Sequence, residues 1–130
     1  MTYIFVHKGR PHPQGRPKIT TKPFPKVYYS GPSTVYRKEL VKSFAAQAAG
    51  KDGLPLTCAE VCIYVWGLRK NADPDNMAKQ VLDALVTAGV LAEDDWTHIP
   101  VLIVRCYEAE GKNGKVMVTL TPTIIVEDIA

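Results

Sequence analysis

Apolar side chains recur along the chain in patterns that predict both strands and helices. Residues 2–7 (TYIFVH) and 56–68 (LTCAEVCIYVWGL) are rich in β-branched and aromatic residues, which is typical of strands. Two similar runs follow, IPVLIVRCYEA and KVMVTLTPTIIV, of which the second supplies one or two strands. Asn113 and Gly114 form a strong turn signal, so we expect a hairpin-like connection between these runs.

Two other segments have helical periodicity instead. In the first, apolar residues recur on one face over residues 36–44, Ser33 is a suitable N-cap, and Gly50 ends the segment. The second runs from residue 75 to residue 88, with one apolar stripe and with Gly89 after its last turn. The element order is therefore strand, arm, helix, strand, helix, strand, strand.

This order predicts a two-layer domain of the α/β (α+β) class, in which two helices pack on one mixed β-sheet. The chain has no internal repeat and no linker long enough to divide it, so we expect one domain over residues 1–130. Residues 8–32 form a basic arm that holds most of the prolines, and we expect this arm to be irregular.

Composition is that of an ordinary globular chain, with 130 residues, 46% hydrophobic and 22% charged. No run of about 18 apolar residues is present, and the N-terminal residues MTYIFVHKGR lack the pattern of a signal peptide. We therefore expect a cytoplasmic protein without a membrane partner. Cys58, Cys62 and Cys106 lack CxxC spacing and lie in apolar runs, which predicts small buried thiols without chemistry.

The net charge of +3 is the sum of a basic N-terminal part and an acidic remainder of the chain. Residues 1–38 contain eight Lys or Arg and no acid, whereas residues 39–130 contain eight basic and thirteen acidic residues. Cations interleaved with Phe24, Tyr28 and Tyr29 suit a nucleic acid, because Lys and Arg neutralise phosphates and aromatic rings stack on exposed bases. A solvated loop that only favours solubility is the alternative.

The stretch NADPDNMAKQ places two acids at the junction between the second strand and the second helix. Local structure alone explains them, because Asp73 is a good N-cap, Pro74 suits the first helical position and Asp75 favours the helix dipole, for about 0.5 to 2 kcal/mol in all. A calcium loop is excluded, since Met77 and Ala78 stand where such a loop needs Asp or Asn and then Gly.

Three further carboxylates, Glu93, Asp94 and Asp95, follow the second helix. A chain reversal can return them towards the first acids, and carboxylates gathered without cations repel unless a divalent ion neutralises them. Oxygen-only ligands point to Mg²⁺, with Mn²⁺ as a substitute. Such an acidic centre favours the nucleic-acid interpretation of the basic arm.

The same residues resemble the signature of the RusA family of Holliday-junction resolvases, which are common in bacteria and their phages. The resemblance rests on D-x-D-N-x-x-K-x-x-x-D-A-L, which starts at Asp73, followed by Gly-Val-Leu and an acidic pair. It implies a homodimeric, magnesium-dependent endonuclease that cuts four-way DNA junctions by paired symmetric nicks in recombination and repair. It also implies that Asp73, Asp75 and Lys79 are catalytic, together with a third aspartate after the turn.

That third acid is Asp94 if the count from the glycine of the turn has no gap, and Asp95 if the visible Asp pair is aligned instead. We choose Asp94. The metal ligands that the resemblance implies are then Asp73, Asp75 and Asp94, and Glu93 and Asp95 remain further candidates.

Other polar residues have smaller expected roles. Asn76 is expected to position a ligand or water, Asp83 to be structural, and His98 to lie at the surface or at the core edge. The basic residues that we expect to contact DNA are Lys8, Arg10, Arg16, Lys18, Lys22, Lys26, Arg69 and Lys70. Two other functions stay open: a magnesium phosphohydrolase acting on nucleotides, which has little use for a basic arm, and a DNA-binding module whose acids only cap a helix.

Overall fold

The fold is that of a computed structural model, which describes residues 1–15, 18–28, 31–109 and 113–124. Its elements are β1 (Tyr3–Lys8), β2 (Lys18–Thr20), β3 (Lys26–Tyr28), α1 (Gly31–Ala48), β4 (Ala59–Trp66), α2 (Pro74–Thr87), β5 (Val101–Tyr107) and β6 (Lys115–Pro122). β4 is shorter than predicted, because Leu56 forms a separate bridge with Leu91 and Gly67 turns the chain at φ 86°. Neither described helix is long and apolar enough to span a membrane.

Four strands form one mixed sheet in the order β1-β6-β4-β5. β4 and β5 are parallel, whereas β6 runs antiparallel to β1 and to β4. Both helices contribute buried apolar side chains to the core. The predicted architecture of two helices on a mixed sheet is therefore confirmed, while the expected homodimer stays a prediction.

The core lies between the helices and one face of the sheet. Alternate residues of β4 from Ala59 to Val65 are buried, and β6 shows the same alternation from Val116 to Leu120. The helices add Tyr36, Leu40, Phe44, Met77, Val81 and Leu85. The side chains between these positions in β4 point to the opposite face, where they are half-buried or exposed.

The hairpin predicted between the last two strands is wrong. β5 lies on one side of β4 and β6 lies on the other, so the chain crosses the end of β4 between them. Residues 110–112 of the predicted turn lie outside the described residues. The arm also differs from its prediction, because β2 and β3 pair as a separate two-stranded sheet instead of being irregular.

Two smaller predictions are corrected as well. Helix α1 begins at Gly31 rather than after Ser33, whose side chain is buried and accepts a hydrogen bond from the Gly15 N–H at 3.1 Å. Cys106 is exposed, because it lies on the edge strand β5, while Cys58 and Cys62 are half-buried.

Candidate active site at the start of helix α2

Asp73 caps helix α2, as its position before Pro74 predicts. Its backbone is extended, at φ −83° and ψ 120°, and its Oδ1 accepts a hydrogen bond from the Asp75 N–H at 2.9 Å. The side chain is exposed, and its Oδ2 has no hydrogen-bond partner among the described residues. Capping therefore uses one oxygen of this carboxylate and leaves the other available for a ligand.

Asp75 and Lys79 lie four residues apart, so they share one face of α2, and both are exposed. Asp83 follows one turn later and is partly buried, with its Oδ2 3.2 Å from the Arg37 guanidinium of α1. Burial raises the pKa of Asp83, and the charges of Arg37 and Lys79 oppose that rise. The face therefore carries alternating acidic and basic groups.

Asp94 returns to this face from the loop after α2. It lies close enough to Asp83 to raise the pKa of that carboxyl further, by hydrogen bonding and by like charge. The loop is held by the segment before β4, since the Leu56 N–H donates to the Val90 carbonyl at 2.8 Å and the Ala92 N–H donates to the Leu56 carbonyl at 2.9 Å. The predicted reversal of the chain thus brings Asp94 to the helix, but towards its second half.

Asp95 is engaged in a turn of its own. Its Oδ1 accepts hydrogen bonds from the backbone N–H and hydroxyl of Thr97, and it lies 2.7 Å from the His98 Nδ1. Hydrogen bonds from Thr97 and His98 lower the pKa of Asp95 to about 2. The neighbouring Glu93 is exposed. Asp95 Oδ1 is thus engaged within its own turn, whereas Asp94 lies beside Asp83 of helix α2.

The described residues do not gather three acidic, His or Cys side chains into a metal-binding group. Asp94 lies beside Asp83 rather than beside the first two acids. Asp83 is two turns beyond Asp75, which is about 12 Å along the helix axis at 1.5 Å per residue. The donors at Asp73 and Asp75 still fit Mg²⁺, which prefers oxygen ligands and is commonly bound by one or two carboxylates while it keeps several waters. This pair is therefore the part of the predicted site that suits the ion.

Asp73 and Asn76 line a cleft of about 670 Å³ whose opposite wall is the first part of the basic arm. Arg10 and Arg69 line the same cleft, so two cations predicted to contact DNA face the predicted metal ligand. A neighbouring cleft of about 630 Å³ shares both arginines and adds Lys70. Asp73 therefore shares one cleft with two arginines, and the same arginines line the second cleft together with Lys70 and Glu108.

Backbone hydrogen bonds hold the arm in this position. The Gly9 N–H donates to the Gly114 carbonyl at 2.9 Å, and the Gln14 N–H donates to the Asn76 carbonyl at 3.2 Å. Gly114 has no room for a side chain, since a Cβ there would lie 2.7 Å from Pro11 Cδ. These contacts place the arm against the first turn of α2.

Gln80 is a positioning residue that sequence reasoning missed. It is fully buried, accepts a hydrogen bond from the Arg37 Nε at 2.7 Å, and donates to the Ser33 carbonyl at 2.9 Å and the His12 carbonyl at 3.4 Å. It therefore joins both helices and the arm. The sequence contained one signal for this role, because Gln80 is a polar residue, four positions after Asn76, within an otherwise apolar stripe.

The other described residues that we predicted to contact DNA do not line these two clefts. Lys8 lies at the end of β1, and Lys22 and Lys26 are exposed on and beside the β2–β3 pair. Lys18 is on β2, with its side chain undescribed, and Arg16 lies outside the described residues.

The model of the family described as Endodeoxyribonuclease RusA matches residues 8–121 of the 130-residue chain. The chain belongs to the RusA family. The match includes most of the arm, helix α2 and the acidic turn, so the chain is a crossover-junction endodeoxyribonuclease of the class that acts on branched DNA in recombination. Nucleases of the RusA family are generally dependent on a divalent metal. A comparison with curated proteins found no match.

Proposed function

We propose that residues 1–130 form one magnesium-dependent resolvase that cuts four-way DNA junctions by paired symmetric nicks in recombination and repair. The observation that carries this proposal is the cleft that Asp73 and Asn76 share with Arg10 and Arg69. Nucleotide hydrolysis has no use for a basic arm fixed beside the acids. Membership in an endodeoxyribonuclease family removes the interpretation of a non-catalytic binding module.

Asp73 and Asp75 would hold the ion, with Asp94 as the third acid. A bound divalent ion lowers the pKa of water and offsets charge on the phosphate and leaving oxygens. Asp73 lines the cleft that we assign to the DNA backbone, and its Oδ1 keeps the first turn of α2 in place while its Oδ2 is left for the ion. The expected products carry a 5′-phosphate and a 3′-hydroxyl.

Lys79 is the cation that we assign to the scissile phosphate. It lies one turn from Asp75 on the exposed face of α2, and a fixed positive charge there stabilises negative charge that develops during hydrolysis. Arg37, which is bound to Asp83 and Gln80, is a positioning residue for that face. Asn76 lines the cleft beside Asp73 and orients a ligand or water there.

We also propose a homodimer. A four-way junction presents related phosphates on opposing strands, and resolution requires both to be cut. The chain has one DxDN motif and therefore one site, so paired cuts need two chains. A two-fold symmetric dimer whose axis coincides with that of the junction meets this requirement.

The direct test is cleavage of a synthetic four-way junction by the purified protein. With Mg²⁺ present we expect two symmetric nicks and linear duplex products, whereas a chelator should abolish cutting and leave binding intact. A linear duplex of the same sequence is the control and should stay uncut. Cutting that continues in the chelator, or equal cutting of the linear duplex, would refute the proposal.

The choice between Asp94 and Asp95 gives a second prediction. Asp94→Asn should lose cleavage, whereas Asp95→Asn should cut nearly normally, because the Asp95 carboxylate is already bound by Thr97 and His98. Cleavage rates of the two variants, with thermal unfolding measured in parallel, decide the question. An inert but folded Asp95→Asn beside an active Asp94→Asn would reverse the assignment.

A further inference from the structure

The sheet face opposite the helices ends in aromatic and basic side chains. Strand register places two cross-strand rows at the carboxyl end of β4: Lys8, Lys115, Trp66 and Tyr107 in one, and Val6, Met117, Tyr64 and Arg105 in the next. Tyr107 is 44% exposed and the cations Lys8, Arg105 and Lys115 are exposed, whereas Tyr64 and Trp66 are half-buried. The face is therefore accessible at the end nearest to the acidic motif.

Tyr64, Trp66 and Tyr107 form a set of nearly parallel rings, here named the aromatic platform. The ring centroids of Tyr64 and Trp66 are 6.2 Å apart at an interplanar angle of 22°, and those of Trp66 and Tyr107 are 5.2 Å apart at 23°. The Lys115 Nζ lies 4.6 Å from the Trp66 ring centroid. Proteins hold unpaired bases on free aromatic faces and their phosphates on neighbouring cations, and Tyr107 is the exposed ring of this set, with Trp66 and Tyr64 stacked behind it.

The platform is continuous with the candidate active site. Tyr107 lines the cleft that contains Arg10, Arg69 and Lys70, and the two arginines also line the cleft of Asp73. On the other side of the platform, Trp66 lines a further cleft with Lys8 and Lys115. Among the described residues that line these three clefts, Glu108 is the one acid besides Asp73, and it pairs with Lys70 at 3.7 Å, so the cations form most of the charged lining between the acids and the rings.

We infer that the aromatic platform binds unpaired bases of the DNA strand next to the cut, with Lys8, Lys115 and Arg105 on the adjoining phosphates. This inference rests on the proposed function, since a four-way junction can expose bases at its exchange point. Base-paired DNA keeps its bases stacked inside the duplex, so an aromatic face selects unstacked nucleotides.

A second copy of the chain fits this end of the sheet less well. In a two-fold symmetric contact whose axis passes through this end of the sheet, Lys8, Lys115 and Arg105 would approach the same cations of the partner. DNA instead supplies the opposite charge to all three. The charge complementarity therefore favours a nucleic-acid strand as the occupant.

Tryptophan fluorescence tests occupancy directly. The chain has two tryptophans, so Trp96→Phe leaves Trp66 as the single indole, and it lies within the platform. In the absence of divalent ions, a four-way junction and an oligothymidylate should both change Trp66 emission, whereas an equally long linear duplex should change it much less. Binding of all three is followed independently by the anisotropy of labelled DNA.

Two variants of the exposed ring separate stacking from general stability. Tyr107→Leu should weaken junction binding about tenfold, within the range for loss of one stacked base, whereas Tyr107→Phe retains the ring and should bind normally. Leu102→Ala is the matched control, because Leu102 is 43% exposed on the same strand but points to the other face.

The inference is overturned if the junction binds by anisotropy without changing Trp66 emission, or if folded Tyr107→Leu binds as tightly as Leu102→Ala. If Trp66 emission changes with protein concentration but not with added DNA, the platform is covered by a second copy of the chain and the inference is wrong. Failure of the proposed function gives a different result. If wild-type protein binds the junction and changes Trp66 emission but never cuts the DNA, only the catalytic assignment is contradicted.

Discussion

Asp73→Asn and Asp75→Asn are each expected to lose junction cleavage by at least about a hundredfold, the scale of losing one group that stabilises transition-state charge. The Asp73 substitution is the sharper test, because Asn is as good an N-cap as Asp and helix α2 should stay folded. Junction binding should survive or tighten, since a carboxylate that repels phosphate is gone. Cleavage rates and binding affinity are measured on the same junction.

The control variant for these substitutions changes a carboxylate that has no role in the proposed mechanism. Glu39 is an exposed acid of helix α1, and Glu39→Gln should cut at the wild-type rate. If Asp73→Asn also cuts normally, Asp73 is only the cap of α2. Full activity in both aspartate variants would remove the metal assignment altogether.

The inactive variants also test the proposed dimer. Mixing the wild type with excess Asp75→Asn should give heterodimers that nick one strand of a junction and release nicked product. Light scattering of the wild type should return about twice the 14.3 kDa of one chain. A monomer that still makes paired cuts would contradict the dimer.

Lys79→Ala is expected to reduce kcat by about a hundredfold to a thousandfold, because a positive charge aimed at the phosphate matters most in the transition state. Junction affinity should change little, since one phosphate contact is lost among several. Lys79→Arg should not restore the rate, because a guanidinium differs from an ammonium in reach and shape. Single-turnover cleavage at saturating enzyme separates the rate from the affinity.

Lys42→Ala is the matched control, since Lys42 is an exposed lysine on the other helix. It should cut and bind as the wild type does. If Lys79→Ala loses affinity by the same factor as its rate, then Lys79 is a general DNA contact. If it loses neither, Lys79 is only a residue of the helix surface.

Local features of the sequence determined helix α2 and its place after a strand. Asp73, Pro74 and Gly89 act on neighbours within one turn, so their cap, first-turn and stop roles were predictable and are confirmed. The same holds for the alternation that buries one face of β4. The DxDN motif also lies within one turn, and the family it indicates is confirmed by the match over residues 8–121.

Only the tertiary structure decided which distant segments meet. Asn113-Gly114 indicated a hairpin, but β6 pairs with β4 and β1, because strand partners are chosen by burial of the whole sheet rather than by the turn. Gln80 contacts the arm through the His12 carbonyl and helix α1 through the Ser33 carbonyl, and no local pattern encodes these distant partners.

The candidate site likewise has a part that local sequence predicts and a part that depends on the fold. Both Asp94 and Asp95 fitted the acidic turn, and the fold of the loop gives them different surroundings, since Asp95 contacts His98 whereas Asp94 lies beside Asp83. The aromatic platform joins residues of β4 and β5 that are about forty positions apart, at strand spacings of roughly 5 Å. Sequence determines the elements because their interactions are local, whereas the site and the platform depend on contacts that exist only after the sheet has assembled.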